Sequence, residues 1–475
     1  MRLYWFHMRG KGTLATWLVP ALVAAGGIAA VTTWLQWQPS VVVAPRVAGT
    51  DRPPQAASAS AASFQGKLIP AQGAKLDESL AGAWPCFRGA DRDNVNRDEN
   101  VFLAKKWLPA GPAPLWNIEA GEGYAGPAIL NGRVYLTDYD QVRRADAVRC
   151  LSLADGKELW RYTYPVPVKR FHGMSRTTPA VTDKFVVSIG PKCHVTCLDA
   201  KSGELLWKID LVAEYGSVVP PWYAGQCPLI DNGLAILAPG GPDVLMMAVD
   251  CATGKIKWQA PNPQGWKMTH SSVTPLEVGG RRMYLYCADK GIAALWADDG
   301  TEAFASTEWR IKIANIPTPV AVGEGKIFLA GGYNAGCMMM QIEEKDGRVS
   351  ARKLWTKPAE VFGATQQTPV FYEGYIYAIR PDGELACMDK GGNLLWSSGA
   401  ANRFGLGPLL ISQGLIYALD DNGTLTMARA VPTAYEQLAR AKVLQGHDCW
   451  GPLALAGGRL IARDLTRIVC LQVAE

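Results

Sequence analysis

Along most of this chain, apolar and polar positions alternate in short runs, and the runs come in pairs around a glycine. The clearest pair is Leu205, Trp207 and Ile209 interleaved with Leu206, Lys208 and Asp210, a period of two that predicts a strand. Before it stands a short apolar run, Val195 to Asp199, and between them the turn Ala200-Lys201-Ser202-Gly203. Gly203 supplies the left-handed backbone position that such turns commonly need. The same strand–turn–strand phrase recurs as CLSLADGKELW at 150–160, CLDAKSGELLW at 197–207 and AVDCATGKIKW at 248–258. Degenerate copies read ALWADDGTEAF at 294–304 and LACMDKGGNLLW at 385–396. Within these phrases Gly156, Gly203 and Gly254 are turn residues, and Trp160, Trp207, Trp258 and Trp396 are the largest side chains of the second strand. Trp116 and Trp355 carry the same role in more divergent copies. A buried indole of this size fills the gap between two stacked sheets.

A second hairpin precedes each phrase. It opens at a proline, as in Gly126-Pro127-Ala128 and Thr178-Pro179-Ala180, turns at Asn131-Gly132 or Glu324-Gly325, and returns through apolar strands such as 133–136, 326–329 and 375–378. Proline at a strand start forfeits no ladder hydrogen bond. Four strands recurring every 40–50 residues predict one β-propeller blade per unit. Proline starts fall near residues 127, 179, 228, 275, 319, 369, 408 and 452. Outer-strand markers fall near Trp116, Trp160, Trp207, Trp258, Trp309, Trp355, Trp396 and Leu444. The offset between the two series predicts an all-β, eight-bladed propeller of four-stranded antiparallel blades. An N-terminal strand closes the ring, so no sheet edge stays open at a seam. Seven blades is the alternative if one degenerate unit is not a blade.

The phrase L-D-x-x-[ST]-G-x-x-x-W resembles the PQQ-like repeat of quinoprotein propellers. WPCFRGADRDNV at 84–95, GEGYAGPAILNGRVY at 121–135, WRYTYPVP at 160–167 and PPWYAGQCPLIDNG at 220–233 are similar to the exported PQQ-like propellers of planctomycete type. The resemblance spans about 84–473. It implies a propeller that either binds and assembles without catalysis or, in the dehydrogenase branch, oxidises an alcohol or sugar with PQQ and calcium. That branch carries two adjacent cysteines over the cofactor, a calcium-binding Glu/Asn/Asp set and a catalytic Asp. This chain has no Cys-Cys pair and lacks the extended insertions that build that site. No cofactor, metal ligand or catalytic residue is therefore assigned.

Ahead of the repeats, residues 1–12 form a basic tail with Arg2, Arg9 and Lys11, and 13–37 is a largely apolar run without charge, flanked by Trp17, Trp34 and Trp37. Its length suits a membrane span with interfacial indoles. The basic side places the N-terminus in the cytoplasm, with the propeller exported to the periplasm. A cleaved signal peptide, leaving a secreted protein, is the alternative. Residues 38–80 are rich in Pro, Ala and Ser, a composition that builds no core and predicts a linker. The propeller domain is then 81–475.

Most candidate chemistry dissolves into the repeat. Cys150, Cys197, Cys387 and Cys470 share one repeat position and read as buried strand residues. Cys193 and Cys197 lie four strand residues apart, about 13 Å, too far for one zinc ion or one disulfide. Gly121 to Gly126 matches G-x-G-x-x-G, but a proline and a strand follow it where a helix is required. Net charge is +5 without a basic stripe, so nucleic acid is excluded as a partner. What remains are the non-repeating residues just ahead of the proline starts, which should face the mouth of the central channel. These are Tyr124, His172 and Arg176, then Trp222 and Tyr223, then Trp266 and His270, then Arg403, His447 and Trp450, with Gln366 and Gln367 between. Loops on a rigid scaffold concentrate binding residues. The expected function is a non-catalytic binding or assembly platform whose propeller face takes a protein or glycan, the alternatives being the quinoprotein oxidoreductase and a carbohydrate-fragment binder. The segment 84–89 is expected to strap across the propeller, with Trp84 and Phe87 as apolar pins.

Overall fold

The structure, a computed structural model, describes residues 15–36, 64–71, 73–74, 76–80 and 82–475. The chain divides into two compact units, with the boundary after Ser60. In the first, Ala15–Gln36 is a helix with Pro20 inside it and no charged residue in its terminal turns. Its 22 residues extend about 33 Å, enough to cross a hydrocarbon core. The basic tail and Trp37 lie outside the described residues.

The second unit is the eight-bladed propeller. Each blade is an antiparallel sheet numbered from the channel outwards. Blades 1 to 7 span 128–165, 180–210, 229–261, 274–306, 320–357, 370–397 and 409–442. Blade 8 takes three strands from 454–472 and its outermost from Ala113–Glu119, which pairs with Arg467–Gln472. That N-terminal strand closes the ring, and the inner strand of blade 8 touches that of blade 1.

The repeat builds the seams between blades. Asp199 Oδ1 accepts the N–H groups of Lys201 (3.0 Å) and Ser202 (2.7 Å), which bends the chain into the turn completed by Gly203 at φ +77°. That glycine lets the preceding blade's tryptophan lie flat on the turn. A Cβ at Gly203 would stand 2.5 Å from Trp160; at Gly156, 2.8 Å from Trp116; at Gly254, 2.8 Å from Trp207. The indole N–H then donates across the seam: Trp116 to Leu153 O at 2.9 Å, Trp207 to Cys251 O at 2.8 Å, Trp258 to Ala297 O at 3.1 Å, Trp396 to Val431 O at 2.8 Å. Trp160 is the exception. Its Nε1 is buried without a partner, and the corresponding carbonyl, Ala200 O, accepts from the Tyr135 hydroxyl at 3.0 Å. The four repeat cysteines stand in register with these indoles: Cys150 with Trp160, Cys197 with Trp207, Cys387 with Trp396 and Cys470 with Trp116. All eleven cysteines are buried and unpaired.

Three details differ from the sequence expectation. The wedge of blade 4 is Phe304, in register with Ala294, whereas Trp309 lies beyond the strand in the cluster between blades 4 and 5. In blade 7 the position belongs to Ala439, opposite Met427, and Leu444 follows the strand. Bulk alone had marked these residues; register assigns the role to others. Thirdly, 64–70 is not free linker: Lys67–Pro70 adds a fifth strand to the outer edge of blade 1, antiparallel to Glu158–Pro165.

Candidate functional site: a dead-end channel mouth

The strap packs against the inner strands of the propeller, from Cys86 at blades 2 and 3 to Arg88 at blades 5 and 6. Trp84 exchanges two 2.8 Å backbone hydrogen bonds with Ile129 of blade 1, and Val181 N–H of blade 2 donates to Pro85 O. Arg92 reaches Ile230 O of blade 3 at 2.9 Å. Arg88, buried, donates to Thr318 Oγ1 at 3.2 Å, Pro369 O at 2.9 Å and Asp93 O at 3.2 Å, which binds the strap to the starts of blades 5 and 6. Asn94 and Asn96 donate to Leu409 O (2.5 Å) and Leu455 O (2.8 Å) of blades 7 and 8. Seven of the eight blades are thus hydrogen-bonded to one thirteen-residue segment, which spans the channel from the blade 1 side to blades 5 and 6. Trp84 is a buried pin, as expected. Phe87 instead lines a cavity on the open side.

That cavity, about 240 Å³, is where the loops ahead of the inner strands converge. Of the ten candidates, Tyr124, His172, Arg176, Trp222, His270 and Trp450 line it, together with Gln366 and Gln367. The other four do not. Tyr223 turns away, its hydroxyl donating to Lys169 O at 2.6 Å. Trp266 is buried in the cluster between blades 3 and 4. Arg403 is exposed beside Glu384, with which it forms a backbone bridge. His447 is exposed, 3.4 Å from Asp448. Tyr333, Ile316 and Cys227 were not anticipated. Tyr333 comes from the turn between the second and third strands of blade 5, which lies at the same end of a blade as the start of its first strand. The glycines on either side of it, Gly332 and Gly336, were the available signal.

Backbone strain fixes the walls. His172, Trp222, Tyr223 and Asp448 all have φ between +54° and +77°, uncommon for bulky residues and costing on the order of 1–3 kcal/mol each. The bend at Trp222 aims its carbonyl at Arg176 Nε, 2.5 Å away. The Arg176 guanidinium also lies over the Tyr124 ring at 5.0 Å, while its Nη2 is buried without a partner. Tyr124 packs on Trp450 with ring centroids 5.0 Å apart. Its hydroxyl faces Asp448 Oδ2 at 3.4 Å, and the Trp450 indole donates to Asp421 at 2.7 Å.

Burial sets the charge states. It pushes the Tyr124 phenol up to about 12, with Asp448 adding to the effect. It lowers Arg176 to about 10, which leaves the guanidinium charged at neutral pH. His270 falls to about 4, through burial first and the Arg176 charge second, so its imidazole is neutral. Its Nε2 lies 2.8 Å from Pro221 O, an acceptor only, so that nitrogen carries the proton. Cys227 is raised to about 11 by burial and stays a thiol. The walls therefore offer aromatic faces, amides and one cation.

Residues 144–390, just over half of the chain, match the family described as outer membrane protein assembly factor BamB. This chain belongs to the BamB family of PQQ-like propellers. BamB of Moranella endobia (strain PCIT) is 23% identical over 327 residues, covering 66% of this chain and 68% of that one. The crystal structure of BamB from Moraxella catarrhalis superposes with a TM-score of 0.52 at 14% identity, over 76% of this chain and 99% of the other. A europium-containing methanol dehydrogenase superposes with a TM-score of 0.58 at 13% identity, over 83% and 90%. At such identities the likeness is one of fold.

PQQ with calcium, implied by the quinoprotein branch, does not suit this cavity in its donor set. No carboxylate lines it, the nearby acids Asp448 and Asp421 face Tyr124 and Trp450, and the one fixed charge is the Arg176 cation. A dication needs oxygen donors carrying compensating charge. Among the described residues no group of three or more His, Cys, Asp or Glu could hold a metal ion.

Proposed function

We propose that this BamB-family propeller is an exported platform, held at a membrane by the helix Ala15–Gln36, that binds a protein partner at the channel mouth without catalysis. The observation that carries the reading is the composition of the cavity wall. Trp222, Trp450, Tyr124, Tyr333 and Phe87 supply apolar faces, while Arg176 is engaged with the Trp222 carbonyl and burial holds His270 and Cys227 neutral. Aromatics and arginine in a desolvated pocket favour association. The relatives are named assembly factors of the outer membrane, and an assembly role comes to this chain as part of the proposal.

The test is site-specific photocrosslinking from position 333 of the full chain in its native membrane. A discrete protein adduct is expected, lost on Trp222→Ala and Trp450→Ala. In parallel, the purified chain is loaded with PQQ and Ca²⁺. Stoichiometric quinone absorbance with dye-linked alcohol oxidation would overturn the platform reading in favour of the oxidoreductase. Retention on peptidoglycan fragments, lost in the same tryptophan variants and without a protein adduct, would replace the protein partner by a glycan. The Gln366 and Gln367 amides beside the aromatic faces keep that reading in view.

A further inference from the structure

The outer edge of blade 1 differs from the other outer edges. In the other seven blades, no described strand pairs beyond the outermost one; in blade 1, Lys67–Pro70 does. An open sheet edge is a template for any extended chain. Side chains before and within this short strand add specific fits. The Phe64 ring sits in a socket at the seam of blades 1 and 2, 4.6 Å from Tyr164 and 4.4 Å from His194. Lys208 Nζ lies 5.0 Å from the ring centroid, and the ammonium also donates to the Phe64 carbonyl. Gly66 lies against Tyr162 so closely that a Cβ there would stand 2.3 Å from the ring. Leu68 reaches the point where Trp160 rests on Gly203, its Cδ1 2.9 Å from where a Cβ of that glycine would lie.

We propose that this edge is a second binding site, which takes an extended peptide segment of the pattern aromatic-x-Gly-x-aliphatic from a protein partner, and that Phe64–Leu68 occupies it in cis. The pattern follows from the three fits: a ring socket, a position where a Cβ would collide with the Tyr162 ring as it stands, and an aliphatic slot two residues further. The cis segment is lightly held. Its strand has four residues, of which Lys67, Ile69 and Pro70 are exposed. Beneath the Phe64 ring, His194 Nδ1 is buried without a hydrogen-bond partner, a residual cost of the present arrangement. An open groove lined by Gln65, Gly66, Tyr162, Leu205 and Lys208 continues alongside, so the seam has room beyond the segment that fills it. A competitor with the same pattern can displace the cis strand without disturbing the four strands beneath.

The probe is a fluorescent peptide of residues 61–72, AASFQGKLIPAQ, added to the full chain in detergent and followed by anisotropy. The variant Phe64→Ala/Leu68→Asp unseats the cis segment. It should bind the probe saturably, wild type about tenfold or more weakly through competition, and a probe with Ala for Phe64 should not bind. Absence of saturable binding to the folded variant overturns the proposal, as does equal affinity of wild type. Hydrogen exchange of wild type decides the matter should the variant fail to fold. Amides of 67–69 exchanging much faster than those of 147–150 sustain an exchangeable strand; equal protection refutes it.

Discussion

Arg88 is the residue on which the closed end of the channel depends, and its removal has a calculable effect. The guanidinium makes three hydrogen bonds, to Thr318, Pro369 and Asp93. Bonds to a charged donor contribute about 1.5–3 kcal/mol each, so the gross gain is roughly 4–9 kcal/mol. Against it stands the desolvation of the cation, which lowers Arg88 from 12.5 to about 10. That shift corresponds to about 3 kcal/mol. The buried Nε has no acceptor, which places the net in the lower half of the range, at about 3 kcal/mol. Arg88→Met should therefore destabilise the propeller by about 3 kcal/mol. Arg88→Lys should recover less than half, because a single ammonium cannot reproduce the planar fork that spans two blades. Urea unfolding of the detergent-solubilised full chain, read by tryptophan emission, measures both. Thiol labelling of Cys86, a buried residue of the strap itself, reports whether the strap has come away. Variants within about 0.5 kcal/mol of wild type and with unchanged labelling would show that the guanidinium does not hold the strap.

Two further outcomes follow from the same structure. Trp258→Ala removes an indole that rests on Gly300 and donates to Ala297 O at 3.1 Å, so it should cost about 3–5 kcal/mol in urea unfolding; a loss below about 1 kcal/mol would mean the seams are held otherwise. His270 titrates at about 4 in the fold and near 6.5 unfolded, so the unfolded chain binds the extra proton between those values. Its contribution is intact above pH 6.5 and lost as pH falls towards 4, about 2.5 kcal/mol between pH 7.5 and 4.5. Asp146, raised to about 7 by burial, acts in the opposite direction over that window. The quantity to measure is therefore the stability difference between wild type and His270→Gln, which should move by about 2.5 kcal/mol against wild type on acidification; a constant difference contradicts the assignment.

The ring was legible in the sequence because its signal is local. An Asp, a turn glycine and a tryptophan within eleven residues specify a hairpin and its wedge, and the offset between Pro127 and Trp116 specifies the closure. Bulk misled only where it was used to count blades: Trp309 outweighs Phe304, although the phrase 294–304 itself ends on Phe304, which stands opposite Ala294. Proximity to an inner strand located the mouth but not the direction of each side chain. Trp222 and Tyr223 are adjacent with φ of +62° and +77°, and that kink sends one into the cavity and the other to Lys169. Tyr333 enters from a turn that the proline starts do not mark. The strand Lys67–Pro70 was hidden because four residues show no alternation and their order comes from blade 1, inside a segment whose composition builds no core.

The strap also constrains what the mouth can bind. A propeller open at both ends can pass a chain through its channel; this one has a floor at Phe87, held by hydrogen bonds to seven blades. A ligand must therefore enter and leave by the same side. About 240 Å³ above the strap gives room for a few side chains. Binding there is thus confined to something that ends or turns: a loop tip, a chain terminus or a single ring system. Burial of one aromatic group against Trp222 and Trp450 would remove about 150–250 Å² from water. At 25 cal/mol per Å² that is about 4–6 kcal/mol before the entropy of association, which leaves micromolar affinity out of reach for a single group. A stable complex then requires contacts beyond the cavity. The face around the mouth, where exposed Phe171 and His447 stand, must take part in it. A small molecule confined to the cavity lacks that additional surface, whereas a protein loop brings it, and this asymmetry favours an assembly platform over a receptor for a free metabolite.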